Sequence, residues 1–140
     1  MKSYLVTLRY PLILSVFVFA AAHIAVRFVI IGDALPYLVI VQIIAIYWAG
    51  KFIVLGRLGG VLSAAVAAVS LILLVHVGLE VLYLVIVAIF SPAVAPVESS
   101  IRGVWYAFVG FSPIIFIIGY VGGVIGRRRL RNWYGTGHDG

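Results

Sequence analysis

The stretch "LGGVLSAAVAAVSLILLVHVGL" (residues 58–79) decides the fold, because it contains no Lys, Arg, Asp or Glu. A bilayer hydrocarbon core about 30 Å thick is crossed by roughly 20 helical residues. Residues 81–97 are again uncharged, so only Glu80 interrupts an apolar run that reaches the loop "SPAVAPVESS" (91–100). Working outward, 10–26, 34–50 and 103–126 are uncharged in the same way. A backbone in lipid must satisfy its own hydrogen bonds, which leaves helices or closed barrels. Barrel strands alternate polar and apolar residues over about 10 positions. These runs do not alternate, so the chain reads as an all-α integral membrane protein.

Composition agrees. The 140 residues are 65% hydrophobic and 10% charged, against about 25% charged in soluble domains. The absence of cysteine removes disulfides, thiolate metal sites and thiol catalysis. The net charge of +6 does not point to nucleic acid. Basic residues gather at the ends of apolar runs, where membrane topology and anionic headgroups explain them.

Four transmembrane helices are predicted, at about 10–31, 35–55, 60–90 and 103–126, in one domain spanning 1–126. A basic cytoplasmic tail (127–140), polar and flexible, follows. Lys2, Arg9 and the small-residue run 20–22 fit a cleaved signal peptide too. The apolar stretch continues to Ile31, however, which favours a retained helix. "GDALP" (32–36) reads as a turn, with Asp33 as a cap and Pro36 in a first turn. "GRLGG" (56–60) reads as a second turn. It is not a phosphate cradle, because no strand precedes it. Pro113 should kink the last helix. With four spans, Lys2, Arg9, Lys51, Arg57, Arg127, Arg128, Arg129 and Arg131 share one side, and only Arg102 occupies a loop on the other. The positive-inside rule then places both termini in the cytoplasm and the chain in the cell membrane.

Small residues recur at four-residue spacing: Gly60, Ala64 and Ala68 in the third helix, and Gly119 with Gly123 and Gly122 with Gly126 in the fourth. Such faces let backbones approach closely. Packing within the bundle is expected ahead of a dimer face.

Five polar residues lie inside the spans: His23, Arg27, Gln42, His76 and Glu80. His23 and Arg27 are four apart, as are His76 and Glu80, so each pair should share a helix face. Taking 1.5 Å per residue from the predicted midpoints, all five fall roughly 2–10 Å outward of the membrane centre. A lone charge at the span centre costs about 2.5–3.5 kcal/mol on insertion scales. Arg27 and Glu80 are therefore expected to pair across helices 1 and 3. His23 and His76 would lie a turn below, with Gln42 reaching in from helix 2.

Three readings fit this cluster. In the first, it fixes helix register in a non-catalytic subunit of a homo-oligomer or larger membrane complex. In the second, Glu80 and His76 serve a proton- or cation-coupled small transporter, which would dimerise to enclose a path. In the third, His23 and His76 ligate a b-type haem or a chlorophyll, with Arg27 near the haem propionates. Enzymatic motifs are absent: there is no HExxH, GxSxG or P-loop, and the spans hold one carboxylate. Trp105 and Tyr106, and Trp133 and Tyr134, suit the two interfacial belts. His138 reads as solvated. Arg127, Arg128, Arg129 and Arg131 read as a topology signal that also meets lipid headgroups.

Overall fold

The computed structural model describes residues 2–28, 30–91 and 97–135, with the backbone alone at 2, 27, 31, 97–101, 104 and 135. The described residues are helical apart from short connections. They form α1 (Lys2–Arg27), α2 (Ile31–Leu55), α3 (Val61–Ile72), a π-helical segment (Leu73–Val77), α4 (Gly78–Phe90) and α5 (Val97–Gly135). Four helices are long and apolar enough to cross a membrane, the third being the continuous run Val61–Phe90.

Helix boundaries differ from the sequence expectation at several points, each for a physical reason. The first helix starts at Lys2 rather than Tyr10, and Pro11 lies buried inside it. The added turns are anchored by the Tyr4 hydroxyl, which donates to the Leu58 carbonyl at 2.6 Å. "GDALP" is not a turn: α2 already begins at Ile31, and Asp33 sits within its first turn without capping it. A carboxylate there still complements the helix dipole. The last helix does not stop at Gly126. It runs through "RRRLR" and on to Gly135, so residues 127–135 are helical rather than a flexible tail. Arginine is a good helix former. Leu130 also packs on the buried cluster of Ile53, Val54 and Ala64. Residues 92–96 of the predicted loop and His138 lie outside the described residues.

The α2–α3 connection is a Schellman turn. Leu58 N–H bonds to Ile53 O and Arg57 N–H to Val54 O, each at 3.0 Å. This motif puts one residue in the left-handed conformation, a place usually taken by glycine. Here it is Arg57, with φ 55°, although glycines stand at 56, 59 and 60. The Arg57 guanidinium lies over the Tyr134 ring, 4.8 Å from its centroid. Tyr4, Arg57 and Tyr134 thus bring the start of α1, the α2–α3 turn and the end of α5 to one end of the bundle.

The core is built largely from small residues. Ala45, Ala49, Ala64, Ala65 and Ala68 are fully buried. A β-carbon on Gly123 would stand 3.0 Å from Ala64 Cβ, and one on Gly126 2.9 Å from Lys51 O. Added β-carbons at Gly50 and Gly122 would collide with the carbonyls of Gly119 and Tyr47. The repeats in α3 and α5 therefore bring helix backbones of this chain together, and Gly50 of α2 joins them. Gly60 does not belong to the set. A methyl group there would meet nothing, because Gly60 sits ahead of α3 as its N-cap.

Candidate functional site

The site begins with the π-helical segment. Gly78 N–H bonds to Leu73 O, five residues back. One wide turn accommodates an extra residue, worth about 100° of rotation at 3.6 residues per turn. Faces before and after the segment are therefore out of α register. His76 and Glu80, expected to share one face, both line one cavity but bond to different helices.

His76 meets α2. Its Nε2 lies 2.9 Å from Gln42 Oε1. A carbonyl oxygen only accepts, so Nε2 carries the hydrogen and donates, which leaves Nδ1 of the neutral ring as a lone pair. The Gln42 amide in turn donates from Nε2 to Ser15 Oγ at 3.2 Å. Ser15 is wholly buried. Ser15, Gln42 and His76 each stand close to the middle of their own span. They tie α1, α2 and the third span together at mid-height.

Glu80 meets α1. Its Oε2 lies 2.8 Å from His23 Nε2. Along α1 this contact is eight residues beyond Ser15, about 12 Å at 1.5 Å per residue. The His23 ring stacks against Phe19 at 4.5 Å and Tyr83 at 4.7 Å, and Phe19 also approaches the His76 ring at 6.2 Å. Of the five polar residues predicted as one cluster, the four whose side chains are described fall into two layers: Gln42 and His76 in the central one, together with Ser15, and His23 with Glu80 in the other. Glu80 was expected to meet Arg27, and its partner among the described side chains is His23. The Arg27 side chain lies outside the described residues.

Both layers face one cavity of about 320 Å³, whose wall includes Phe19, His23, His76 and Glu80, with Phe108 and Phe111 from α5. The site is partly accessible: His23 is 34% and Glu80 20% exposed. No residue of α4 is fully buried, so this arm of the third span leaves room for the cavity. Chemically, one proton shared by Glu80 and His23 gives a pair of zero net charge, whether drawn as carboxylate with imidazolium or as acid with imidazole. Adding or removing one proton changes the charge of the site by one unit.

Bis-imidazole haem ligation needs a ring nitrogen from each histidine facing one iron. Here both ε nitrogens are engaged, by Glu80 and Gln42, and the Phe19 ring lies against both imidazoles. A haem held between His23 and His76 through these ε nitrogens would have to displace both bonds, as would a chlorophyll magnesium on either one. Among the described residues no three His, Asp or Glu side chains gather as a metal site.

Sequence reasoning missed Ser15, Phe19 and Tyr83. A signal existed for the first two: Ser15, Phe19, His23 and Arg27 follow at four-residue steps along α1. The basic residues of α5 divide. Arg127, Arg128 and Arg131 border a second cleft with Tyr120, Val124 and Val61, whereas Arg129 is exposed and does not line it.

Comparison of the chain with protein-family models, curated proteins and solved structures finds no match.

Proposed function

We propose that this chain is a small multi-pass membrane protein, a non-catalytic subunit of a proton-linked transport assembly, with Glu80 and His23 as its proton-binding pair. The carrying observation is the 2.8 Å Glu80–His23 contact on the wall of a 320 Å³ cavity within the apolar spans. Ionisable groups inside a span are costly and recur in proton relays. The π-helical segment adds support, because such segments collect at functional sites. The part-exposed carboxyl–imidazole pair favours proton uptake over a purely structural role. The binding site becomes enclosed in an oligomer or against another membrane subunit. Both termini are assigned to the cytoplasmic side of the cell membrane, because eight of the ten Lys and Arg residues belong to one end of the bundle.

Infrared difference spectroscopy on the reconstituted protein tests this reading. Acidification should produce a carboxylic-acid band that is missing in Glu80→Gln, while that variant remains folded and assembled. Proton flux into dye-loaded vesicles should fall with it.

The second reading is register fixing in a structural subunit. It is favoured by Ser15, wholly buried yet hydrogen-bonded to Gln42. Under it, Glu80→Gln would lower assembly or yield, and the acid band would not appear.

A further inference from the structure

The second cleft, at the basic end of the bundle, has a shape and chemistry of its own. It encloses about 280 Å³ between Val61, at the start of α3, and a single stripe of α5: Tyr120, Val124, Arg127, Arg128 and Arg131. The steps of four, three, one and three residues keep all five on one side of the helix. Along that stripe the chemistry changes abruptly. Tyr120 and Val124 lie within the apolar run, and three guanidinium groups follow within two turns. Among the described residues, no acidic side chain lines the cleft. The chain has four acids in all. Glu80 is engaged by His23, and Asp33 and Glu98 lie in the first turns of α2 and α5, toward the other end of the bundle. Of the four, only Asp139 belongs to the chain end beyond α5.

We propose that this cleft binds one anionic phospholipid. Its phosphate lies among Arg127, Arg128 and Arg131, and an acyl chain runs down beside Val124 and Tyr120. Guanidinium presents paired N–H donors in the geometry that phosphate oxygens accept, and it is the side chain suited to that contact. A soluble phosphate would use the arginines but not the apolar floor. A zwitterionic lipid would use the floor but carry no net charge to the arginines. The continuity of the two surfaces within the transmembrane bundle selects the anionic lipid. This site is independent of the Glu80–His23 pair and does not rest on the function proposed for it.

Native mass spectrometry of the full chain, purified in detergent and titrated with phosphatidylglycerol, tests the proposal. A single retained phosphatidylglycerol is expected. Its occupancy should fall at least tenfold in the Arg127→Gln/Arg128→Gln/Arg131→Gln variant, fall measurably in Arg128→Gln alone, and remain unchanged in Arg129→Gln, which removes one charge off the cleft. The three corresponding Arg→Lys changes keep the charge but lose the fork, so they should bind with intermediate occupancy. They also serve as the folded comparison if the glutamine variant is unstable. Equal retention of phosphatidylcholine would overturn the proposal, as would undiminished retention in the lysine and glutamine variants. Full displacement by millimolar inorganic phosphate would do so too, by showing a site for a soluble anion.

Discussion

At the level of single residues, the polar side chains in the membrane answer to two different demands. Glu80 and His23 line the cavity, whereas Ser15 is wholly buried. Replacing Ser15 with Ala leaves the Gln42 amide donor without its acceptor. An unsatisfied buried donor costs about 1–3 kcal/mol. The Ser15→Ala variant should therefore melt earlier in a detergent thermal-shift assay, and Glu80→Gln should not, because a glutamine at 80 still offers His23 a hydrogen-bond partner. Equal destabilisation by the two would assign Glu80 a structural role. Arg57 presents the opposite case. A non-glycine residue in the left-handed region costs about 1–2 kcal/mol, while an exposed cation–π contact such as that with Tyr134 returns about 0.5–1 kcal/mol. Arg57→Gly should thus raise stability by up to about 1 kcal/mol. Tyr134→Leu should lower it, because the strain at Arg57 then remains without its ring. Thermal unfolding of the two variants side by side measures both signs.

Among elements, the π-helical segment decides which helix each polar side chain reaches. Removing one residue from it, for example Leu74, restores α register and rotates α4 by about 100°. Glu80 then turns away from His23. Because the chain has no cysteine, a double His23→Cys/Glu80→Cys variant reports this contact through a short bifunctional thiol crosslinker, which spans the gap left when two long side chains that met at their tips are shortened. Crosslinking is expected in the full-length third span and should be lost when Leu74 is deleted. This element also marks the limit of what the sequence discloses. Span number and approximate place follow from uncharged runs, because the hydrocarbon core tolerates little else. Gln42 reaching toward the histidines was legible too, but the pairing of Glu80 with His23 does not follow. It depends on one wide turn, and nothing in "LLVHV" distinguishes a π from an α hydrogen bond by composition. The extent of α5 was hidden for a related reason. "RRRLR" looks like a stop for a membrane span, but a helix need not end where its apolar surface does. Leu130 and Tyr134 hold the extension by contacts with α2, α3 and the Arg57 turn, and no local pattern reveals those partners.

For the molecule as a whole, the same turn at Arg57 gathers the start of α1 and the end of α5, so the bundle has one basic pole. Lys2, Arg9, Lys51, Arg57, Arg127, Arg128, Arg129 and Arg131 belong to it, and Arg27 and Arg102 lie toward the opposite pole. Basic residues flanking spans set orientation through their excess on the cytoplasmic side. The count stands at eight against two, so orientation should withstand the loss of a whole cluster. With Arg127, Arg128, Arg129 and Arg131 all changed to Gln, four residues still oppose two, and a reporter after residue 140 should keep its cytoplasmic signal. Inserting four lysines between Ser91 and Val97 in that variant makes the count four against six. The reporter signal should then become mixed or reversed. The first variant also removes the arginines of the lipid cleft, so its unchanged orientation, together with lost phosphatidylglycerol, would separate their two roles. A reversal on losing the four arginines alone would mean that the end of α5, rather than the summed charge of the pole, dictates how the chain enters the membrane.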